Sequence, residues 1–218
     1  MRHKNQKKPS TTGRIRIIAG QHRGRQLPVL DAQGLRPTTD RTKETLFNWL
    51  MQDVQGSVCL DGFAGSGSLG FEALSRGAQH VYFIEKNTTA ANQLNLNVAT
   101  LALQSQANVL VGEFAHSINR VAQSLNEDAE PLNQGVKGFD LIFLDPPFQH
   151  GLLIPSLVKL LELQLISPHT LIYLECETAI SLNHINLALR QSDSAMSLKP
   201  IKQQQTNGFM YGLFQLNT

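Results

Sequence analysis

The sequence predicts an α/β protein with a doubly wound, Rossmann-like sheet whose strands are mostly parallel. From residue 57 onward, short apolar runs rich in β-branched and aromatic residues alternate with segments in which apolar residues recur every three or four positions. The short runs are apolar on both faces, as strands are when helices cover both sides of a parallel sheet. Right-handed crossovers would place those helices in two layers.

Five apolar runs are predicted as the parallel strands, and each is followed by a helical pattern. After the fourth run, for example, Leu153, Leu157 and Leu160 fall on one face of a helix. A further helix-like stretch covers residues 178–190. The predicted strands are residues 57–63 (SVCLDGF), 80–86 (HVYFIEK), 107–113 (ANVLVGE), 139–145 (FDLIFLD) and 170–176 (TLIYLEC).

The carboxyl-terminal end departs from this alternation. The runs SLKPIKQQ and FMYGLFQL flank residues 206–208 (TNG), a sequence that favours a tight hairpin turn. These runs therefore predict an antiparallel pair of strands that completes the sheet.

A small basic extension is predicted at the amino-terminal end. The runs RIRIIAG and RGRQLPV favour a β-hairpin, and a helix is predicted to start near Thr38 or Thr39. The apolar face of that helix would hold Leu46, Phe47 and Leu50, with Arg41 and Lys43 exposed. We place the extension at residues 14–52 and the main domain at residues 53–218.

Positive charge is concentrated before the main domain. Residues 1–43 hold 11 Lys and Arg against two Asp, a balance of +9, whereas residues 44–218 hold 8 against 15 acids, a balance of −7. A cationic segment on an acidic body is typical of a protein that meets a polyanion, because each neutralised phosphate releases counterions. Residues 1–13 lack any apolar period and are predicted to be a disordered basic tail.

The cysteines and the apolar segments favour a cytoplasmic location. Cys59 and Cys176 lie inside apolar runs, with no CxxC pair and no His/Cys cluster at ligand spacing, which predicts reduced core residues and no metal site. The most apolar segment, GLLIPSLVKLLELQLI, is interrupted by a proline and two charged residues, unlike a signal peptide or a membrane span. We expect a cytoplasmic protein, and, as nothing indicates an oligomer, a monomer.

A glycine-rich turn, LDGFAGSGSLG, follows the first predicted strand. It would lie at the carboxyl ends of the strands, where doubly wound sheets bind ligands. Gly65, Gly67 and Gly70 form a GxGxxG pattern, and Glu85 ends the next strand, 20 residues after Gly65, where an acid can bind ribose hydroxyls. These features alone allow a nicotinamide or flavin protein, because the pattern has low specificity.

Asp61 favours a different ligand. It stands four residues before Gly65, where its carboxylate would repel the pyrophosphate of a dinucleotide. S-adenosylmethionine (SAM) carries an ammonium and a sulfonium instead of phosphates. Its methionine end would suit the glycine turn, its ribose Glu85 and its adenine the end of the third strand at Glu113. Alternatively, Asp61 caps the following helix and Glu113 is an exposed loop acid.

The fourth predicted strand ends in Asp145, Pro146, Pro147 and Phe148, beside the first strand. An exocyclic base amine is a poor nucleophile, since its lone pair is delocalised into the ring. The Asp145 carboxylate and the Pro146 carbonyl can accept its two N–H bonds and favour a pyramidal nitrogen, because neither proline offers a competing N–H donor. Phe148 gives a flat face on which a flipped base can stack. Alternatively, the prolines only end the strand.

The combined motifs resemble a known family. LDGFAGSGSLGFEALSRGA, VYFIEKN and FDLIFLDPPF, with RIIAGQHRGRQLPV and GLRPTTDRTKETLFNWL, resemble the RsmD-type methyltransferases, a class I SAM-dependent family. The resemblance runs from Arg14 to about Glu175. DPPF alone is shared with adenine-N6 and cytosine-N4 methyltransferases, whereas its combination with RPTTDRTKETLFNWL is much more specific. The resemblance implies methylation of guanine N2 in 16S ribosomal RNA, within a small-subunit ribosomal particle. The target nucleotide, and the choice between naked RNA and an assembled particle, stay open, as does any RNA contact by residues 1–13.

The resemblance also implies roles for individual residues. The family often has basic residues after DPPF, whereas Gln149 and His150 follow here. The predicted catalytic residues are Asp145, Pro146, Pro147 and Phe148. The predicted cofactor-binding residues are Asp61, Phe63, Ala64, Gly65, Gly67, Glu85, Lys86, Glu113 and Phe114, and the predicted substrate-binding residues are Arg23, Arg25, Arg36, Thr38 and Arg41.

Other functional classes are compatible with parts of the pattern. A DNA adenine or protein-glutamine methyltransferase would use a similar proline-rich tetrad. A nicotinamide-dependent oxidoreductase would use Gly65, Gly67 and Gly70, and would bind NADH rather than SAM. A non-catalytic RNA-binding module would bind RNA without any affinity for SAM, which Asp61 and the tetrad argue against.

Overall fold

The structure, a computed structural model, describes residues 13–29, 39–127, 138–178, 180–192, 196–206 and 208–217. The strands in these ranges are β1 (Gly13–Arg16), β2 (Gln26–Val29), β3 (Val58–Asp61), β4 (His80–Glu85), β5 (Ala107–Val111), β6 (Leu141–Leu144), β7 (Leu171–Glu177), β8 (Ser197–Gln205) and β9 (Phe209–Asn217). The helices are α1 (Asp40–Trp49), α2 (Ser68–Ser75), α3 (Thr88–Thr100), α4 (Phe114–Glu127), α5 (Leu153–Glu162) and α6 (Leu182–Ser192).

Seven strands form the main sheet, in the order β5-β4-β3-β6-β7-β9-β8. Five neighbouring strands, from β5 at one edge to β7, are parallel, and β9 and β8 add an antiparallel hairpin at the other side. The chain moves outward from β3 to β5 and then returns to β6 on the other side of β3. The strand order therefore reverses between β3 and β6, which is where doubly wound sheets bind ligands. The predicted fold is confirmed, including the carboxyl-terminal hairpin.

Two apolar layers cover this sheet, one on each face. Along β6, Leu141 and Phe143 belong to one layer, and Ile142 and Leu144 to the other. All four side chains are essentially excluded from solvent, and each contributes about 1.5–3 kcal/mol by its burial. This two-sided burial explains why the strand has an unbroken apolar run rather than an alternating one.

The amino-terminal hairpin is β1 paired antiparallel with β2, as predicted. It is attached to α2 through Glu72, whose carboxylate is fully buried. The backbone N–H groups of Ile18 and Ala19 donate to that carboxylate at 2.8 and 3.0 Å, and Nε of Arg76 donates at 2.7 Å. Without such donors a buried carboxylate would be strongly destabilising.

The backbones of the hairpin and α2 also meet directly. The N–H of Gln21 donates to the Ser75 carbonyl at 2.6 Å, and the Ser75 hydroxyl donates to the Ala19 carbonyl at 2.6 Å. Gly20 lies between them with a φ of +83°, and a Cβ at this position would be 1.8 Å from the Ser75 carbonyl oxygen. Residues 13–29 therefore share a core with the main domain, and the boundary after residue 52 stays a prediction.

Lys43 on α1 is buried, so the prediction that it is exposed is wrong. Its side chain is 1% exposed, and Nζ donates to the Arg16 carbonyl at 2.6 Å and to the Ser68 hydroxyl at 3.1 Å. Burial lowers the pKa of Lys43, and the Glu72 carboxylate, 3.9 Å away, opposes this. The ammonium group thereby joins β1, α1 and the start of α2.

Helix α1 begins after Thr39, one of the two predicted starts. The Thr39 hydroxyl accepts a hydrogen bond from the N–H of Thr42 at 3.2 Å and so satisfies one of the free amides of the first turn. On the opposite side of the helix, Leu46, Phe47 and Leu50 are fully buried, as predicted.

Thr39→Ala is expected to destabilise the protein by about 1 kcal/mol, because it removes this cap. Thermal unfolding should show a midpoint lower by about 2–4 °C. Thr39→Ser keeps the hydroxyl and is the matched control, with a midpoint close to that of the wild type. Equal losses in both variants would mean that the hydroxyl does not act as a cap.

Some predictions concern residues outside the described ranges. These are residues 1–12 of the predicted tail, Arg36 and Thr38. Residues 128–137 are also outside them; they belong to residues 126–137 (NEDAEPLNQGVK), which the sequence predicts to be an acidic surface loop. Gly13, placed in the tail by the sequence, is the first residue of β1. No helix in the described part of the chain is long and apolar enough to cross a membrane.

Candidate active site at the carboxyl ends of the strands

The glycine turn that follows β3 is held between the ends of β4 and β6. The N–H of Gly62 donates to the Phe143 carbonyl at 3.0 Å, and the N–H of Ala64 donates to the Ile84 carbonyl at 2.9 Å. Gly65 and Gly67 have φ angles of +51° and +75°, a region that favours glycine. Their backbone conformation closes the turn and starts α2 directly after Gly67.

Asp61 ends β3 underneath this turn and is 4% exposed. Its carboxyl accepts a hydrogen bond from the N–H of Gly70, in the first turn of α2, at 3.0 Å. Burial raises the pKa of Asp61 to about 7; the Gly70 hydrogen bond lowers it, and the Glu85 carboxylate raises it. The alternative that Asp61 caps the following helix is therefore correct, since its carboxyl accepts from an amide of the first turn of α2. It does not exclude a ligand, because this hydrogen bond uses only one of the two carboxyl oxygens.

Asp61→Asn is expected to remove a pH dependence of stability. The folded pKa, about 7, lies above the ordinary value of 3.8, so the folded state favours the protonated carboxyl. This stabilisation is fully present below about pH 4 and is lost as the pH rises to about 7. Urea unfolding should show wild-type stability falling, relative to the variant, by up to about 4 kcal/mol over this range. The asparagine oxygen can still accept from Gly70, and a pH-independent difference would contradict the raised pKa.

Glu85 joins the glycine turn to the start of α3. One of its carboxylate oxygens accepts from the N–H of Gly65 at 2.8 Å, and the other accepts from the N–H of Asn87 at 2.7 Å. The side chain is half-buried, while the neighbouring Lys86 is exposed. Carboxylate oxygens have further lone pairs, so Glu85 can still accept hydrogen bonds from a ligand's hydroxyls.

The end of β5 supplies the third side of the site. Glu113 is exposed, whereas Phe114 is buried and stacks on Phe63 of the glycine turn, with 5.2 Å between ring centroids and 12° between planes. Ser117, one helical turn later, has a buried hydroxyl with no hydrogen-bond partner among the described residues. A Cβ on Gly112 would be 2.9 Å from this hydroxyl, so Ser117 borders the loop that leaves β5.

These groups fit the chemistry of SAM. Asp61, a carboxyl group with a pKa near neutrality, lies at the end of β3, where an ammonium group would favour its ionised form. Glu85 can accept from a ribose, and the hydroxyl of Ser117, which has no partner among the described residues, can bind a polar atom of an adenine ring. Sequence reasoning missed Ser117, although a serine between the apolar residues Phe114 and Ile118 of a helical face is a sign of a buried polar group.

The catalytic residues predicted from DPPF lie directly after β6, next to Asp61's strand. Asp145 is half-buried, Pro146 buried, Pro147 exposed and Phe148 half-buried. Gln149 then adopts a left-handed conformation, with a φ of +65°, and its N–H donates to the Glu177 carboxylate at 3.2 Å.

A tyrosine and a glutamate lie beside residues 145–148, which we call the acid-proline corner, and sequence reasoning did not assign them. β6 pairs with β7 so that Leu144 faces Leu174, which puts Asp145 beside Glu175. Glu175 is 6% exposed and accepts from the hydroxyl of the fully buried Tyr173 at 2.6 Å. Burial raises the pKa of Tyr173 well above its usual range, and the charges of Glu175 and Asp145 add to this effect. The signal was an acid inside the apolar run TLIYLEC.

The predicted substrate residues separate into two groups. Arg41 is exposed on the first turn of α1, and its charge lowers the pKa of Tyr211, although burial and Glu175 raise it more. Arg23 and Arg25 are exposed in the β1–β2 connection, which contacts Ser75. Ser75 is at the far end of α2 from the glycine turn, a distance of about 12 Å for a helix of eight residues. Any RNA contact by Arg23 or Arg25 would therefore be remote from the target base.

Two cavities differ in their relation to this site. One, of about 10 Å³, lies between Val29 of β2 and the Gly65–Ser66 turn, and has room for about one water molecule. The other, of about 270 Å³, is lined by Asp140 and His169 among others, at the amino ends of β6 and β7. The second cavity is at the opposite end of the strands from Asp61 and Asp145, so we assign it no part in the site.

Comparisons with known proteins show the family of this chain. The family model described as "Conserved hypothetical protein 95" matches residues 15–197. Ribosomal RNA small subunit methyltransferase D of Haemophilus influenzae is 52% identical over 169 residues, which cover 78% of this chain and 82% of that protein. The protein of the same name from Escherichia coli strain K12 is 45% identical over 174 residues, covering 78% and 80%.

A solved structure is similar over nearly the whole chain. It is a putative methyltransferase, yhhF, from Escherichia coli, with a TM-score of 0.71 and 37% identity over 93% of this chain and 98% of that one. The resemblance inferred from the sequence motifs is thus confirmed. This chain belongs to the "Conserved hypothetical protein 95" family, together with the ribosomal RNA small subunit methyltransferases D.

Proposed function

We propose that this protein transfers a methyl group from SAM to the exocyclic N2 of a guanine in 16S ribosomal RNA. The observation that carries the proposal is the 52% identity to a ribosomal RNA small subunit methyltransferase D over 169 residues. The family model, which matches residues 15–197, includes the residues of the candidate site. The neighbouring ends of β3 and β6 support it, because they bring a glycine turn and an acid-proline corner together. We expect the protein to act in the cytoplasm, where ribosomal RNA is assembled with protein.

SAM would be held by the residues around the glycine turn. Its methionine end would contact the turn and Asp61, its ribose Glu85, and its adenine the surface near Glu113, with Ser117 as a further hydrogen-bonding group. When bound there, SAM supplies an electrophilic methyl group on a sulfonium. The remaining proposed contacts are made by Phe63, Ala64, Gly65, Gly67, Lys86 and Phe114.

Asp145 and Pro146 would prepare the guanine amine for attack. The carboxylate and the carbonyl accept one N–H each, which orients the lone pair toward the methyl group and favours a pyramidal nitrogen. The Asp145 carboxylate then offsets the positive charge that develops on nitrogen and is positioned to take the proton that nitrogen loses. Phe148 would stack on the base, a contact worth about 1–3 kcal/mol, and fixed proximity can supply up to about 7–11 kcal/mol.

The basic residues would hold the RNA backbone. The charge of Arg41 acts on the hydroxyl of Tyr211, as does the charge of Glu175, which lies beside the acid-proline corner. Arg23 and Arg25 would contact phosphates farther away, and Arg36 and Thr38 complete the proposed substrate set. If about five cations contact phosphates of single-stranded RNA, the slope of log affinity against log salt should be near −3.5.

The test uses purified protein and labelled SAM. Ribosomal RNA, small-subunit particles, DNA and a protein extract, all from a deletion strain, are incubated separately. Nucleosides, or peptides in the case of the protein extract, are then analysed by mass spectrometry. N2-methylguanosine in 16S RNA, from naked RNA or from particles, is the expected product. Methylated adenine in DNA or methylated glutamine in protein, with RNA unmodified, would replace the proposal with one of the alternative methyltransferases.

A further inference from the structure

The outer edge of the main sheet is a polar, cationic strand. Seven consecutive residues of β8, Lys199–Gln205, are exposed, and they include Lys199, Lys202 and three glutamines. The β8–β9 hairpin has no acidic residue, although residues 44–218 as a whole carry a balance of −7. Lysines on an edge strand also prevent pairing with other chains. Preventing such pairing does not explain why the tip of this hairpin lies beside Phe148.

The tip of the β8–β9 hairpin borders the acid-proline corner. β9 pairs with β7 so that Phe209 faces Glu177, which puts the tip at the carboxyl end of β7. β7 is the neighbour of β6, whose carboxyl end continues into Asp145. The ring of Phe209 contacts that of Phe148, with 6.1 Å between centroids. Residues of the tip therefore flank the position at which a target base would stack.

Behind the tip, aromatic rings and polar groups fix the surface. Phe209 stacks on Tyr211, and Tyr211 on Trp49 of α1, with centroid distances of 5.9 and 6.0 Å. The hydroxyl of Tyr211 donates to the side-chain oxygen of Gln204, and the charge of Arg41 acts on the same hydroxyl. Tyr211 is buried, whereas Phe209 is half-buried and Gln204 is exposed.

We propose that this hairpin face, defined as Lys199, Lys202, Gln204 and Phe209, binds the single-stranded nucleotides that flank the target guanine. A base stacks on Phe209, the amide of Gln204 bonds to a base edge, and the two lysines contact phosphates. Aromatic rings beside amides and cations are the groups that recognise unstacked RNA, and the positive charge of the face matches the phosphate backbone. This inference rests on the proposed function and adds the surface that selects the neighbours of the target.

The experiment measures RNA affinity rather than turnover, because Phe209 touches Phe148 and could change the rate indirectly. The probe is a 16S fragment that contains the guanine found by nucleoside mapping, with inosine in its place, so that the amine is missing. Phe209→Leu keeps an apolar side chain against Phe148 but removes the aromatic face. Its affinity for the probe should fall roughly 5- to 150-fold, the range for loss of one stacked base, while SAM affinity stays close to wild type. The unfolding midpoint should fall by only about 1–6 °C, the effect of losing an aromatic pair, so that the protein stays folded in the assay.

The lysines are tested by salt dependence. The double variant Lys199→Gln/Lys202→Gln should reduce the steepness of the log–log salt slope by about 1.4, two phosphate contacts at about 0.7 each. Lys159→Gln is the matched control, because Lys159 pairs with Glu162 on α5, away from the hairpin, and it should leave the slope unchanged.

Three outcomes would overturn the inference or the function beneath it. Wild-type affinity and slope in the hairpin variants, with wild-type protein methylating the RNA, would overturn the hairpin face alone. A loss of binding to assembled particles but not to the RNA probe would assign the face to a ribosomal protein instead. Failure of the wild-type protein to methylate any RNA would overturn the proposed function, whatever the hairpin variants bind.

Discussion

Asp145→Ala is expected to lower kcat for methyl transfer by about 10²–10³-fold, with SAM affinity close to unchanged. The size follows from losses seen when one group that stabilises developing charge or moves a proton is removed. Asp145 is half-buried at the end of β6, and its charge acts on Tyr173 beside it. The carboxylate thus lies in a partly desolvated place, where its effect on a nearby positive nitrogen is stronger than in water. Single-turnover kinetics at saturating SAM and RNA would measure the rate.

Asp145→Asn separates charge from hydrogen bonding. Asparagine keeps one acceptor oxygen for the base amine but cannot offset positive charge or take a proton, so its rate should lie between those of the wild type and the alanine variant. SAM binding, by isothermal titration, and the unfolding midpoint serve as controls. If Asp145→Ala weakened SAM binding as much as it slowed transfer, the residue would have a structural role instead.

Glu72→Ala is expected to reduce the free energy of unfolding by about 3–5 kcal/mol, the usual effect of removing one partner of a buried ionic network. The substitution leaves the backbone amides of Ile18 and Ala19 without their acceptor. It also removes the carboxylate that pairs with Arg76 at 2.7 Å and lies 3.9 Å from the buried ammonium group of Lys43. For a chain of this size each kcal/mol corresponds to about 2–4 °C, so the midpoint should fall by roughly 6–20 °C.

Two further variants make this prediction specific. Glu72→Gln keeps the shape and one acceptor oxygen, and should lose less stability than alanine. Glu162→Ala removes a glutamate from an exposed ion pair on α5 and should cost only about 0–1 kcal/mol. A midpoint for Glu72→Ala equal to that of Glu162→Ala would show that the network does not hold the hairpin.

The sheet could be predicted because its signal is local and redundant. Each central strand is apolar on both faces, as Phe143 and Ile142 illustrate in β6, and only a strand covered on both sides requires that pattern. The hairpin turn after β8 and the cap at Thr39 are likewise local features. The end of α4 was less accurate, because residues 126 and 127 were predicted as loop but are helical.

Features that depend on distant partners could not be predicted. Lys43 has the composition of an exposed helical residue, and its burial depends on the Arg16 carbonyl and on Glu72, which lie 27 residues before it and 29 after it. Glu72 itself lies in an unremarkable helical sequence. A charged residue is stable in a core only when several partners meet there, and sequence spacing does not reveal such a meeting.

In the candidate site, too, some residues could be predicted from local sequence, whereas others depend on distant partners. Asp61, Glu85 and Asp145 were identified because each ends a predicted strand, and strand ends of a doubly wound sheet meet at one edge. Ser117 and Glu175 were missed, since their significance comes from burial beside neighbouring strands. The distance of Arg23 from the corner was also unforeseen, because the direction in which β1 and β2 cross α2 is set by tertiary contacts.

The attachment of the hairpin to Glu72 has a consequence for biosynthesis. Ile18 precedes its acceptor by 54 residues, and ribosomes add about 5–20 residues per second, so roughly 3–11 s separate the translation of the two. During this interval residues 13–29, with four arginines and no acid, leave the ribosome without their docking surface. Residues 13–29 are therefore synthesised early but can dock only after α2 has been synthesised. In a nascent chain that stalls before α2, they would be a cationic segment without its docking surface.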